Sequence, residues 1–247
     1  MNEPTIEVAR PTAPPPIGEV HLYHARLDHD DATVERCLPL LFPAERLLAN
    51  RRVTSELRRR AVLSRAFLRM ALAGSLGCGE TDIPINLGEH GKPFLLEPDH
   101  SAKLDFNVTH TGEHWICALT ATGPIGVDME TPRDETDWDA LVDRYFSTAE
   151  GASFRLLPEA RRKEAFFRTW TSKEAFLKAR GSGLATPLRD FDVVVDPDRP
   201  VGLIDVRIPE EHAGAWWLFE VEDAEIPTVV AGRGERPEVK GFALAVE

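Results

Sequence analysis

Ile125-Gly126-Val127-Asp128-Met129-Glu130 follows directly on Gly123-Pro124, and the reading of this stretch organises the rest of the chain. A short apolar run opened by a turn dipeptide predicts a strand. Residues two apart on a strand point to the same face. Asp128 and Glu130 therefore share one face, and Met129 takes the other, toward a core. Two carboxylates side by side repel unless a cation lies between them. Oxygen donors of this kind suit Mg²⁺, which usually completes its coordination with phosphate oxygens and water. Alone, a D-x-E pair is an ordinary feature of a wet strand face, so its meaning depends on what surrounds it.

Upstream, Leu104 to Thr109 and Trp115 to Ala121 read as two more strands, broken by Thr111-Gly112, and the turn at Gly123-Pro124 marks a divide between two halves. Residues 54–73 predict an amphipathic helix from Leu57, Ala61, Ser64, Leu68 and Leu72, with Gly74 as its stop. Between Arg51 and Arg69 lie seven arginines and one acid, Glu56, a local charge of about +6. Most such runs are solvated helix faces; an anion site is the alternative. A strand is expected from Val20 toward Leu27, and residues 1–16, with five prolines, read as a flexible lead-in.

Downstream, Ser147-Thr148-Ala149-Glu150 has the spacing of a capping box and should start a helix. A longer helix is expected from about Glu159 to Arg180, closed by Gly181. Strands follow at Phe191 to Val195, Val201 to Ile208, Trp216 to Val221 and Gly241 to Val246.

The chain has 247 residues, with 29 Lys plus Arg against 41 Asp plus Glu and a formal net charge of −12. That balance argues against a general nucleic-acid binder, which needs a basic footprint. Cys37, Cys78 and Cys117 are far apart and form neither a CxxC pair nor a zinc spacing. With no signal peptide and no apolar run of membrane-spanning length, a cytoplasmic protein is expected, free of membrane and nucleic acid and monomeric.

Three further pieces accompany the two acids. In Trp170-Thr171-Ser172-Lys173-Glu174-Ala175-Phe176-Leu177-Lys178, Glu174 and Lys178 lie four apart on one helix face. A surface ion pair is the plain reading, yet Phe166, Phe167, Trp170 and Phe176 surround these charges with aromatics. Asn107-Val108-Thr109-His110-Thr111-Gly112 places a histidine, two hydroxyls and a turn glycine together, as would suit a phosphate. Gly91-Lys92-Pro93 presents one lysine on a rigid turn.

Together the four pieces resemble the surfactin-type 4'-phosphopantetheinyl transferase family. The order matches: G-K-P, N-[hydroxyl]-H-[hydroxyl]-G, G-V-D-x-E, then W-x-x-K-E-A-x-x-K followed by G-x-G-L. The likeness covers roughly residues 50 to 195, and threonines stand where the family commonly has serine beside the histidine. It implies Mg²⁺ ligation by Asp128, Glu130 and Glu174, the ion bridging the pyrophosphate of coenzyme A. It implies phosphate contacts by Lys173 and Lys178, with Lys178 also stabilising the departing phosphate, and a coenzyme A phosphate contact by His110 beside Thr109. Lys92 and an arginine near Arg60 would meet the adenosine end, although Arg58, Arg59, Arg60 and Arg65 are not separable from sequence.

The implied fold is α+β: two similar α/β halves about a pseudo-two-fold axis, each a small, mostly antiparallel sheet with a long helix. Residues 17–123 would form the half that meets the adenosine end. Residues 124–247 would carry the metal and catalytic groups, with coenzyme A in the cleft between. The implied reaction is attack by a serine of an apo acyl or peptidyl carrier protein on the β-phosphorus of coenzyme A, releasing adenosine 3',5'-bisphosphate. Glu174 would take the serine proton, directly or through water. The rivals are a Mg²⁺-dependent nucleotide pyrophosphate hydrolase and a non-catalytic module binding carrier protein or coenzyme A. Since such carriers are usually acidic, docking on a chain of −12 is expected to rest on a local apolar or basic patch.

Overall fold

The computed structural model describes residues 6–7, 11–88, 92–96, 104–134, 137–221 and 224–246. In chain order these form β1 (Ile6–Glu7), β2 (Glu19–Arg26), α1 (Asp31–Cys37), α2 (Pro43–Asn50), α3 (Ser55–Leu76), β3 (Ile85–Leu87), β4 (Pro93–Leu95), β5 (Asp105–Thr111) and β6 (His114–Thr120). Then come β7 (Ile125–Met129), α4 (Trp138–Tyr145), α5 (Thr148–Leu156), α6 (Glu159–Arg180), β8 (Phe191–Val193), β9 (Leu203–Val206), β10 (Trp216–Glu220), β11 (Thr228–Arg233) and β12 (Glu238–Ala243). The class is α+β, with small sheets and a 22-residue helix in each of two compact units.

The first unit is Met1–Thr122 together with Pro237–Glu247. Its sheet has the order β1-β12-β2-β6-β5, with β2, β6 and β5 antiparallel and β1, β12 and β2 parallel. The last strand thus pairs with β2, whereas the sequence reading assigned everything from 124 to 247 to the second half. Of the lead-in expected to be flexible, residues 1–5 and 8–10 lie outside the described residues, and Ile6–Glu7 pairs with β12.

In α3, the side chain of the N-cap Thr54 accepts a hydrogen bond from the Leu57 amide. The helix runs through Gly74 and stops at Gly77, whose φ of 65° is a conformation glycine adopts without strain. Gly74 is therefore not the stop expected from sequence. Leu63, Phe67, Leu68 and Leu72 bury against Tyr23, Leu41, Phe106 and Trp115. Leu57, expected on the buried face, is 47% exposed.

The second unit is Gly123–Arg236. Its antiparallel sheet has the order β10-β11-β7, so β11 is the central strand. Helix α6 lies on this sheet, and Phe176 and Leu177 pack in one core with Phe191, Val193, Trp216, Leu218, Val229 and Ala231. A second cluster joins Val142, Phe146 and Phe154 to Phe166 and Phe167 of α6. The predicted capping box is present: Ser147 accepts from the Glu150 amide and Glu150 from the Ser147 amide.

Candidate active site

The site begins with a missing side chain. A Cβ on Gly126 would stand 2.2 Å from both the Ala175 carbonyl oxygen and the Ala179 nitrogen of α6. Glycine therefore lets the helix lie against β7 more closely than any other residue allows. Gly126 and Asp128 are two apart, so the face that meets the helix backbone at Gly126 carries the Asp128 carboxylate one step on. Glu130 continues that alternation just beyond the strand, its amide bonded to the Pro227 carbonyl.

On α6, Glu174 and Lys178 are one turn apart and face this strip. Lys178 Nζ donates to Asp128 Oδ1 at 2.6 Å and to the Val127 carbonyl at 3.2 Å. Asp128 is buried, while Glu130, Glu174 and Lys178 are half-buried. Burial raises the pKa of Glu130, and the charge of Asp128 raises it further; Arg133 and Lys178 pull the other way. Burial likewise raises Glu174, with Asp128 and Glu130 adding to the rise and Lys178 opposing it. Three carboxylates thus feel one another across a single ammonium, an arrangement relieved by added positive charge.

Among the described residues no group of three or more His, Cys, Asp or Glu is gathered tightly enough to hold a metal alone. Carboxylates such as these suit Mg²⁺ only where other ligands complete the shell. That ion commonly takes only one or two protein carboxylates and fills the remaining positions with substrate phosphate and water.

Lys173 departs from its expected role. Its side chain is fully buried, with Nζ 2.7 Å from Glu150 Oε1 and bonded to the carbonyls of Leu188 at 2.8 Å and Phe191 at 2.7 Å. These partners use all three ammonium donors, and the charge also lies over the Phe191 ring. Burial pushes the Lys173 pKa down and the Glu150 pKa up, and their mutual attraction holds both shifts in check. Lys173 is thus a structural tie between α5, α6 and β8, with no donor left for a phosphate. Sequence reasoning gave Glu150 only its capping-box role; its pairing with Lys173 is a tertiary contact that leaves no signal along the chain.

The remaining candidates belong to the first unit. His110 is exposed on β5, in register with Trp115 of β6. The strand runs on through Thr111, and Gly112, with φ of 54°, begins the two-residue turn to β6. By strand alternation Thr109 and Thr111 lie on the face opposite His110, so the hydroxyls do not flank the imidazole as the sequence suggested. Gly91 lies outside the described residues; Lys92 Nζ donates to Asp105 Oδ2 at 3.0 Å. Arg60 pairs with Glu56 at 2.6 Å, one helical turn back.

Known proteins match the chain along both units. The family model described as "4'-phosphopantetheinyl transferase superfamily" matches residues 124–237, and that described as "4'-phosphopantetheinyl transferase, N-terminal" matches residues 29–122. The 4'-phosphopantetheinyl transferase HetI of Nostoc sp. is 33% identical over 222 residues, 89% of this chain and 90% of its own. The 4'-phosphopantetheinyl transferase Sfp of Bacillus subtilis is 27% identical over 206 residues, 83% of this chain and 88% of its own. Matched along both units and paired nearly end to end with a relative above 30% identity, the chain belongs to the 4'-phosphopantetheinyl transferase superfamily.

Proposed function

We propose that Asp128, Glu130 and Glu174 hold a Mg²⁺ ion together with the pyrophosphate of coenzyme A, and that Glu174 and Lys178 do the proton and charge work of transfer. As a member of its family the enzyme moves the 4'-phosphopantetheine group of coenzyme A onto an apo carrier protein. The observation that carries the site assignment is the strip in which Lys178 pairs with Asp128 while Glu130 and Glu174 are raised by burial and by that same carboxylate. Mg²⁺ bound there would neutralise charge on the phosphate oxygens.

The chain's own groups do the rest. A carrier serine attacks the β-phosphorus of coenzyme A, forming a new P–O bond as the bond to the adenosine-side phosphate breaks, and adenosine 3',5'-bisphosphate leaves. Glu174 takes the hydroxyl proton, directly or through water. Lys178 neutralises charge growing on the leaving phosphate. In the first unit, His110, Lys92 and Arg60 are assigned to coenzyme A, Lys92 and Arg60 to its adenosine end, while Thr109, on the opposite face of β5 from His110, is left out of that contact. The carriers are of acyl or peptidyl type, and the enzyme works as a cytoplasmic monomer. No described helix is long and apolar enough to cross a membrane.

The test is product analysis with coenzyme A, an apo carrier, and Mg²⁺ or a chelator. Carrier mass gain with release of adenosine 3',5'-bisphosphate, lost on chelation, is expected. Cleavage of coenzyme A without carrier mass gain would make the protein a hydrolase.

A further inference from the structure

Ten large apolar side chains are exposed among the described residues, and four of them fall at the corner between α2 and α3: Leu47 at 55%, Leu48 at 48%, Val53 at 89% and Leu57 at 47%. Clustered apolar surface rimmed by polar groups marks an interaction site.

The charges around this corner are divided unevenly. Farther along and behind α3, each arginine meets an acid of its own chain: Arg59 with Asp31, Arg60 with Glu56, and Arg65 and Arg69 with Glu45. Arg46, Arg51, Arg52 and Arg58, all exposed at the corner, have no carboxylate partner among the described residues. Arg46 and Arg58 donate only to backbone carbonyls. A chain of net charge −12 thus leaves four guanidiniums uncompensated beside its exposed leucines and valine.

We infer that the α2–α3 corner is a docking surface for an acidic protein partner that offers apolar side chains, and that this partner is the apo carrier. Identifying the partner as the carrier rests on the function proposed above. Interfaces concentrate energy in a few buried apolar anchors and favour arginine, while the charged rim selects the partner and speeds encounter. An anionic membrane shares the charge chemistry, but interfacial anchoring uses a continuous amphipathic helix face. Here the apolar positions are spread over the end of an eight-residue helix, a turn and the start of the next helix.

The experiment uses the full chain and a carrier that the wild-type enzyme modifies, with the Arg51→Glu/Arg52→Glu and Leu47→Ser/Leu48→Ser double variants. All four positions are exposed, and circular dichroism verifies folding. KM is measured for carrier and for coenzyme A, each at saturation of the other. In both variants carrier KM should rise about tenfold, with kcat and coenzyme A KM within about twofold. An unchanged carrier KM in both variants overturns the inference. A rise confined to coenzyme A KM also overturns it, placing the arginines at the adenosine end. So does binding of wild-type enzyme to phosphatidylglycerol vesicles that the variants lose while carrier KM holds. The proposed function fails separately, if wild-type enzyme adds no mass to any apo carrier.

Discussion

Gly126→Ala should damage the active site without touching a catalytic group. The new methyl would sit 2.2 Å from the Ala175 carbonyl oxygen and the Ala179 nitrogen, and 2.8 Å from the Lys178 carbonyl carbon. Ordinary non-bonded contacts lie near 3.5–4.0 Å, so β7 and α6 must part by roughly 1 Å. The obstacles are helix backbone, which has no rotamer to retreat into. The Lys178–Asp128 contact, 2.6 Å long, spans the gap being widened. A displacement of this size costs about 10²-fold in rate when it misplaces reacting groups, and overpacking costs about 1–3 kcal/mol of stability. The assay is kcat/KM for carrier modification by intact mass, alongside urea unfolding. Gly202→Ala is the control, because a Cβ there meets nothing within 4 Å. If Gly126→Ala keeps kcat/KM within about twofold of wild type while remaining folded, close approach of helix and strand is not what builds the site.

Three further outcomes follow from particular contacts. Lys173→Met strands the buried Glu150 carboxylate and should cost about 3–5 kcal/mol of stability, read by urea unfolding; intact stability with a raised coenzyme A KM would return Lys173 to phosphate binding. If Arg60 meets the adenosine 3'-phosphate, wild-type enzyme should bind dephospho-coenzyme A more weakly than coenzyme A, and Arg60→Gln should erase the difference, about 1.5–3 kcal/mol for a charge-assisted pair; an undiminished preference refutes the assignment. Burial lowers the pKa of His24 to about 4 from the usual 6.5. Below 6.5 the unfolded chain therefore takes up a proton that the folded one refuses until about pH 4. The stability that neutral His24 permits is complete above 6.5 and lost as pH falls toward 4, by about 3 kcal/mol. Unfolding free energy measured across this window should fall less steeply in His24→Gln, and an identical slope would refute the attribution.

Much of this architecture was legible because the signals were local. The capping box at Ser147–Glu150, the helix from Glu159 to Gly181 and the β5–β6–β7 succession each follow from spacing and turn chemistry within a few residues. What escaped depended on tertiary partners. β11, the middle of its sheet, has its core in Val229-Val230-Ala231, a run too short to separate from a loop until β7 and β10 flank it. Gly74 reads as a stop but sits inside a helix that is buried along this stretch, where packing outweighs its weak propensity. The site divides in the same way. The D-x-E strip and the Glu174–Lys178 turn follow from period-two and period-four geometry. The resemblance alone makes Lys173 a phosphate ligand, since its burial beside Glu150 is invisible along the chain, and Thr109 and Thr111 seemed to flank His110 only until the strand extended past them.

The account turns on the Asp128–Glu130–Glu174 strip with Lys178 as the seat of transfer, and Glu174→Gln probes it most directly. The substitution removes a charge and a base while keeping nearly the same shape. Intact mass of an apo carrier is followed over time with coenzyme A and Mg²⁺, wild-type enzyme beside Glu174→Gln. Wild type should add one phosphopantetheine per carrier, and the variant should be slower by about 10²–10⁴-fold with its circular dichroism spectrum unchanged. Modification by Glu174→Gln at near wild-type rate would contradict the account.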